Sequence, residues 1–220
     1  MVLGHRLSWA LIGRQTKLLI LTLRDTIRRP SRARRLGTML RSLTSSTMEL
    51  RLPWLPYDLI DVLDVYVATK RVRVFEYGGG GSTLWFAARA EHVHTVEHES
   101  GWVQQLKSQT SSLSNVTIDH VDLTADPGPY IHAIDAWPDE HFDLVVVDGR
   151  ERVACVQQAL PKLRPGGLLI LDDTDRGRYR PAFDLVDWPR QTFIGFAPCK
   201  PTFGYTTVFS RPGRASDREP

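Results

Sequence analysis

The fold is decided by the stretch from Arg71 to Thr83, which reads Arg-Val-Arg-Val-Phe-Glu-Tyr-Gly-Gly-Gly-Gly-Ser-Thr. An apolar, β-branched run ends in the acid Glu76, and four glycines follow before an apolar helical pattern begins at Leu84. The stretch therefore predicts a strand, a tight loop and a helix. Glycines let the chain turn sharply and let a ligand approach the backbone, and Ser82 or Thr83 is a suitable cap for the helix. We expect the free N–H groups at the helix start to face a polar or anionic ligand.

Two common nucleotide-binding loops do not fit this stretch. The dinucleotide pattern G-x-G-x-x-G would need a glycine where Thr83 or Leu84 stands, and a P-loop would need a lysine, which the stretch lacks. What remains is the pattern acid-x-Gly-x-Gly-x-Ser. Its members are Glu76, Gly78, Gly80 and Ser82.

The rest of the chain alternates predicted strands with predicted helices. Strands are expected over residues 92–96, 116–121, 142–147 and 168–172, with a helix over residues 153–163 between the last two. Two final strands, over residues 191–196 and 205–209, are joined by a segment too short for a crossover helix, so they must pair antiparallel. This order predicts an α/β fold with a doubly wound, mostly parallel seven-stranded sheet that ends in an antiparallel strand.

Acidic residues follow the predicted strands. They are Glu76, Glu97, Asp148, Asp172 and Asp173. Ligands of wound sheets bind at the carboxyl ends of the strands, so we expect these acids at one binding site. An acid at the end of the second strand, here Glu97, can accept hydrogen bonds from both hydroxyls of a ribose.

Together these features resemble the class I S-adenosylmethionine-dependent methyltransferases, over about residues 53–210. The likeness rests on the glycine loop, on Val96-Glu97, on Val147-Asp148-Gly149 and on Leu163-Arg164-Pro165-Gly166-Gly167 before the fifth strand. In that family the loop wraps the methionine part of the cofactor and the acid of the first strand helps to hold its amino group. The resemblance therefore implies S-adenosylmethionine as cofactor. The residues implied to bind it are Glu76, Gly78, Gly79, Gly80, Ser82, Thr83, Glu97 and Asp148.

A narrower likeness is to the metal-dependent catechol-type O-methyltransferases, which place acids after the fourth and fifth strands. Asp148, Asp172 and Asp173 occupy those places and would suit Mg²⁺, a hard cation that prefers oxygen ligands. Such a metal would orient a substrate hydroxyl and lower its pKa. The alternative is a metal-free reaction in which Asp148 or Asp172 is the catalytic base.

The implied reaction is methylation of a hydroxyl group on a small molecule or a glycan by in-line displacement. Two other functions stay open: an RNA methyltransferase, and a non-catalytic protein that binds at a membrane surface. The sequence does not identify the acceptor, and a homo-oligomer stays open as an assembly.

Charge divides the 220 residues unevenly. Residues 1–52 contain 11 Lys and Arg against 2 acids, a net charge of +9, although the whole chain carries only +3. We predict a basic helical extension over residues 1–52, with a helix from Trp9 to Arg29, then the methyltransferase domain over 53–210 and a loose tail over 211–220. The extension suits a solvated helix, an anionic membrane surface, a nucleic acid or a transit peptide.

Composition favours an ordinary globular chain in a reducing compartment. Hydrophobic residues make up 42% of the chain and charged residues 24%, and no apolar run of about 18 residues predicts a membrane span. The two cysteines, Cys155 and Cys199, are too few for a disulfide scaffold. We predict a cytoplasmic protein, with peripheral membrane attachment or an organellar location as the alternatives that depend on residues 1–50.

Overall fold

The computed structural model describes residues 35–42, 44–123, 125–200 and 202–214. Eight α-helices lie within these ranges: α1 (Leu36–Arg41), α2 (Thr47–Leu50), α3 (Tyr57–Ala68), α4 (Gly81–Ala87), α5 (Ser100–Thr110), α6 (Gly128–Ile131), α7 (Arg152–Lys162) and α8 (Ala182–Leu185). Seven strands accompany them: β1 (Arg73–Tyr77), β2 (His92–Glu97), β3 (Val116–His120), β4 (Phe142–Val147), β5 (Leu163–Asp172), β6 (Arg190–Phe196) and β7 (Phe203–Ser210). Short 3₁₀ segments cover His132–Ala136 and Gly177–Tyr179.

The strands form one seven-stranded sheet in the order β3-β2-β1-β4-β5-β7-β6. Strands β1 to β5 run parallel to their neighbours, and β7 pairs antiparallel with both β5 and β6. The predicted sheet, including its antiparallel strand, is confirmed. The chain winds outward from β1 to β3 and then returns to begin β4 beside β1, which places the switch point between β1 and β4.

Strand β4 is buried along its whole length, which explains its unbroken apolar sequence. Leu144 and Val146 pack on one face of the sheet with α3 and α4, whereas Val145 and Val147 pack on the other face with α7. Helices therefore cover both faces of the sheet, as expected for a doubly wound fold.

Two local segments differ from the sequence prediction or add to it. The segment Arg164–Gly167, expected to be a turn, belongs to β5, where the pairing with β4 shifts register and Gly166 adopts a left-handed φ of 74°. A bulge at this glycine keeps the strand continuous. Residues 124–140, which lie between the strands predicted over 116–121 and 142–147, contain α6 and a 3₁₀ segment.

The described end of the N-terminal extension packs on the domain. The carbonyl oxygens of Thr47 and Leu52 lie so close to Gly81, at the start of α4, that any side chain there would overlap them. At the other end of the chain, Arg211 exchanges two backbone hydrogen bonds with Gly166 and Gly167, so the tail predicted from residue 211 begins with ordered contacts.

The helix predicted from Trp9 to Arg29 lies outside the described residues, and its membrane or nucleic-acid contacts stay predictions. No helix within the described ranges combines the length and apolarity needed to cross a bilayer.

Candidate functional site

A cavity of about 330 Å³ opens at the carboxyl ends of β1, β2, β4 and β5, at the switch point of the sheet. Predicted site residues from four separate segments line it: Gly78, Gly79, Glu97, Asp148, Asp172 and Asp173. The structure thus brings together residues that are up to 95 positions apart in the sequence.

Gly78 and Gly149 make the close approach at the switch point. Gly78 has a φ of 89°, and a Cβ placed on it would lie 2.7 Å from the Gly149 nitrogen. The backbone N–H of Asp148 donates to the carbonyl of Tyr77 (2.9 Å), which joins the ends of β4 and β1. The first glycine of the loop is therefore required by the turn and by packing.

Glu97 faces the cavity, and backbone groups orient both of its oxygens. Oε2 accepts a hydrogen bond from the Gly79 N–H (2.9 Å), and Oε1 accepts from the N–H groups of His98 (2.7 Å) and Glu99 (2.9 Å). Only 5% of the residue surface is exposed. Oε1 also lies 2.8 Å from His98 Nδ1 and is fully engaged, whereas Oε2 can accept a further bond and is positioned to accept from a ligand hydroxyl.

Glu76 does not line the cavity. It is fully buried beneath the glycine loop, where its Oε2 accepts hydrogen bonds from the hydroxyls of Thr83 (2.7 Å) and Thr95 (2.9 Å), while Oε1 has no partner among the described residues. Burial raises the pKa of Glu76 to about 7, although the hydroxyls of Thr83, Ser82 and Thr95 act in the opposite direction. Its predicted contact with the cofactor amino group stays a prediction.

The helix after the loop begins at Gly81, earlier than a Ser82 or Thr83 cap would place it. Thr83 instead reaches back from within the first turn, and its hydroxyl accepts a hydrogen bond from the Gly80 N–H (3.1 Å). Gly80, Ser82 and Thr83 do not line the cavity. The structure does not test their predicted contacts with the cofactor. Thr83 fixes the loop through its hydrogen bonds with Gly80 and Glu76.

The three acids after β4 and β5 meet as the narrower resemblance implied. One oxygen each from Asp148, Asp172 and Asp173 lies within 4.8 Å of the others. Asp172 also accepts a short hydrogen bond from the Thr206 hydroxyl. Asp173 has a φ of 56°, a conformation that non-glycine residues rarely adopt and that is concentrated at functional sites.

Cations of the chain itself contact these three acids. Arg152 lies 2.9 Å from Asp148 Oδ1 and 3.3 Å from Asp173 Oδ2. Lys200 lies 2.9 Å from Asp173 Oδ1, and Arg176 lies 2.9 Å from Asp173 Oδ2. Both oxygens of Asp173 are therefore engaged by cations, and a divalent metal could bind all three acids only by displacing a lysine or an arginine. The residues present do not fit Mg²⁺.

The pKa values of the three acids are shifted in different directions. Burial, reinforced by the charge of Asp172, raises the pKa of Asp148 to about 8 against the lowering effect of Arg152. Burial also raises the pKa of Asp172. Burial alone would raise the pKa of Asp173 too, but the hydrogen bond and charge of Lys200 outweigh it and lower that pKa. Asp148 is thus the acid best suited to exchange a proton near neutral pH.

Eight residues that line the cavity were not among the predicted site residues, and four of them make contacts that shape the site. Arg152 is buried and donates to the carbonyl oxygens of Asp148 (2.7 Å), Gly149 (3.0 Å) and Asp172 (2.7 Å), so it braces the ends of β4 and β5. The Trp102 indole N–H donates to the carbonyl of Gly79 and supports the glycine loop from α5. The other two are Lys200 and Arg176. The position of Arg152 at the start of α7, four residues after Asp148, is the one signal that the sequence offered for any of them.

The lining fits S-adenosylmethionine in the chemistry of its groups. Glu97 supplies an oriented acceptor for a ribose hydroxyl, and Gly78 and Gly79 expose backbone without side chains. Asp148 supplies a carboxylate at the same cavity. A nucleoside with a positively charged sulfonium group matches this combination.

Comparisons with known proteins agree with this geometry. The model of a protein family described as a methyltransferase domain matches residues 75–174. No curated protein sequence matches the chain.

Solved structures with the same fold include an rRNA methylase from Streptococcus thermophilus, which is 12% identical with a TM-score of 0.53 over 70% of this chain and 96% of that one. A precorrin-6y C5,15-methyltransferase from Geobacter metallireducens is 10% identical, with a TM-score of 0.50 over 69% and 87% of the two chains. A precorrin 8W decarboxylase from Methanobacterium thermoautotrophicum is 18% identical, with a TM-score of 0.51 over 72% and 92%. At these identities the likeness concerns the fold alone.

The family match, the sheet order and the cavity at the switch point lead to one conclusion. Residues 75–174 match a methyltransferase-domain family and the sheet has the predicted Rossmann-like order, which agrees with the resemblance to the class I S-adenosylmethionine-dependent methyltransferases that the glycine loop and the strand-end acids indicated.

Proposed function

We propose that this protein is an O-methyltransferase that methylates a hydroxyl group of a small molecule or a glycan. The observation that carries the proposal is the position of Asp148, whose carboxylate shares one cavity with the glycine loop and Glu97. A hydroxyl is a poor nucleophile until it loses its proton, so its methylation calls for a base beside the methyl donor.

Asp148 has the properties of that base. Its pKa of about 8 lets it hold or release a proton near neutral pH, where a catalytic base is most effective. Of the two acids predicted to be catalytic, Asp148 has 30% of its side chain exposed, whereas Asp172 has only 4% and is engaged by Thr206. The acceptor can therefore reach Asp148 far more readily than Asp172.

The other residues of the cavity bind and position the methyl donor. When bound, S-adenosylmethionine supplies a methyl group made electrophilic by its sulfonium charge. Glu97 and the loop glycines would hold the nucleoside, and Asp148 would accept the hydroxyl proton as the acceptor oxygen takes the methyl group, the carbon–sulfur bond breaks and S-adenosylhomocysteine leaves. Positioning of this kind accounts for much of the rate of a bimolecular transfer.

The first test is calorimetric titration of the purified chain with S-adenosylhomocysteine, the product form of the cofactor. We expect micromolar binding. The second is transfer of a radiolabelled methyl group from S-adenosylmethionine to panels of hydroxylated small molecules, glycans and RNA. We expect a hydroxylated small molecule or a glycan to be labelled.

The variant Asp148→Asn keeps the size of the side chain but cannot accept the proton. We expect it to lower kcat by about 10²-fold or more. Labelling of RNA alone, or cofactor binding without transfer to any acceptor class, would contradict the proposal and would favour one of the other two functions.

A further inference from the structure

Lys200 reaches the acidic cluster formed by Asp148, Asp172 and Asp173 and contacts its last two members. Its Nζ lies 2.9 Å from Asp173 Oδ1 and 3.8 Å from Asp172 Oδ2, and the side chain is only 16% exposed. Lys200 also lines the cavity. Burial would lower its pKa, but the charges of Asp172 and Asp173 outweigh burial and raise it, so Lys200 is an ammonium ion at neutral pH.

The loop between β6 and β7 is shaped to deliver this lysine. The preceding residue, Cys199, adopts a left-handed φ of 59°, and its thiol donates to the carbonyl of Ser45 (3.0 Å). The Lys200 N–H donates to the carbonyl of Ala197 (3.4 Å). The left-handed conformation of Cys199 and its hydrogen bond to Ser45 therefore fix the loop. The fixed loop backbone in turn positions Lys200.

Cations already contact the acidic cluster within the described part of the chain. The acids Asp148, Asp172 and Asp173 are met by Arg152, Arg176 and Lys200. A divalent ion placed among the acids would lie beside three positive side chains. Coulomb repulsion at a few ångströms in a partly buried site makes that arrangement unfavourable.

We propose that the ammonium group of Lys200 takes the place of the divalent metal ion that such an acidic triad would otherwise bind, and that it positions the acceptor oxygen. An ammonium has three N–H donors. Asp173 engages one of them at close range and Asp172 a second more distantly, which leaves a donor for an oxygen in the cavity. A hydrogen bond from a cation also stabilises the negative charge that develops on a hydroxyl as it loses its proton to Asp148.

The role of Lys200 towards the acceptor rests on the proposed function, but its occupation of the metal position does not. Binding of Mn²⁺ can therefore be measured without an acceptor, by electron paramagnetic resonance on the chain saturated with S-adenosylhomocysteine. We expect no binding by the wild type at millimolar Mn²⁺. We expect Lys200→Met to bind Mn²⁺ at least tenfold more tightly than the wild type, because the cation that contacts both Asp172 and Asp173 is then removed.

Lys162→Met is the matched control. Lys162 is also a largely buried lysine with a 2.9 Å ion pair, to Asp139, but it does not line the cavity. We expect it to gain no Mn²⁺ affinity, and we expect the additional change Asp173→Asn to abolish the gain made by Lys200→Met. Thermal melting and S-adenosylhomocysteine titration show whether each variant is folded, and Lys200→Gln replaces the methionine variant if that one is not.

Two results would overturn the inference. One is Mn²⁺ binding by the wild type at micromolar concentration. The other is a folded Lys200 variant that gains no Mn²⁺ affinity. Failure of the wild type to bind S-adenosylhomocysteine would instead count against the proposed function, so the two failures are distinguishable.

Discussion

Glu97 Oε2 accepts a hydrogen bond from the backbone N–H of Gly79 at 2.9 Å. This contact ties the end of β2 to the glycine loop that follows β1. The same carboxylate accepts two more backbone hydrogen bonds through Oε1, from His98 and Glu99. Glu97 was predicted only to bind a ribose. It is also a structural link between the end of β2 and the glycine loop.

The variant Glu97→Gln tests this double role. An amide presents N–H groups on one side, and these cannot accept from backbone donors or from ribose hydroxyls. Loss of hydrogen bonds to a charged group costs about 2 kcal/mol, so we expect S-adenosylhomocysteine affinity to fall about 30-fold in a calorimetric titration.

The adjacent acid gives the control for that experiment. Glu99 caps α5 by accepting from the N–H groups of Gly101 and Trp102, and it does not line the cavity. Glu99→Gln should change the affinity by less than about threefold, because glutamine replaces an exposed cap at small cost. Equal losses from the two variants would show that Glu97 acts only through local folding.

The indole of Trp102 contacts the same loop residue, Gly79, as Glu97 does. Its N–H donates to the carbonyl of Gly79. In Trp102→Phe the aromatic ring remains but the donor is lost, which costs about 1 kcal/mol. We expect S-adenosylhomocysteine to bind about fivefold more weakly.

Trp137 offers a matched comparison. Its indole nitrogen is buried and has no hydrogen-bond partner in the described part of the chain. Trp137→Phe should therefore leave the affinity unchanged, since it removes an aromatic N–H that makes no such bond. If both variants bind the ligand like the wild type, the hydrogen bond to Gly79 does not hold the loop in its binding conformation.

The third and fourth glycines of the loop have different tolerances for a side chain. A Cβ on Gly81 would overlap the backbone oxygens of Thr47 and Leu52, whereas a Cβ on Gly80 would meet only the Trp102 ring, at ordinary contact distances of 3.5 Å or more. We expect Gly81→Ala to lower the free energy of unfolding by about 2 kcal/mol through overpacking, despite the better helix propensity of alanine. Urea denaturation of Gly80→Ala should show a change within about 0.5 kcal/mol. Equal stabilities of the two variants would mean that the N-terminal segment does not pack on Gly81.

The sequence predicts the sheet and the cavity well because both follow from local patterns. Buried strands leave unbroken apolar runs, as in β4, and the acid that ends each strand must lie at the carboxyl edge. Glu97 and Asp148 were placed correctly at the cavity by this rule.

The orientation of Glu76 follows from the alternation of side chains along β1. Side chains alternate between the faces of a strand, and Val72 and Val74 pack on the face that is covered by α3 and α4. Glu76 is next in this alternation and points beneath α4, whereas Phe75 and Tyr77 pack on the other face. A position near the carboxyl end of a strand therefore does not by itself direct a side chain into the cavity.

No pattern in the sequence indicates that Lys200 lies at the cavity. It meets Asp172 and Asp173 from a loop that lies 27 or 28 residues further along the chain. Ion pairs between distant loops depend on how the sheet brings strands together, and they leave no periodicity in the sequence. The metal site predicted from three acids omitted the cation that the tertiary structure adds to them.

Glu76 should make the stability of the ligand-free chain depend on pH. Its pKa is raised by burial from 4.5 to about 7, so the folded chain keeps a proton that the unfolded chain releases. The stabilisation is fully present below pH 4.5 and is lost as the pH rises through 7, a change of about 3 kcal/mol for this buried group.

Glu76→Gln does not titrate, so urea denaturation of both proteins at several pH values between 4.5 and 8 isolates the effect. We expect the variant to gain stability relative to the wild type as the pH rises. Glu49→Gln should differ from the wild type by a nearly constant amount over this range, because the backbone N–H of Ser46 lowers the pKa of Glu49 and its stabilising charge is lost only below the unfolded pKa of 4.5. A difference between wild type and Glu76→Gln that stays constant with pH would show that the buried carboxylate remains ionised in the folded chain, held by Thr83 and Thr95.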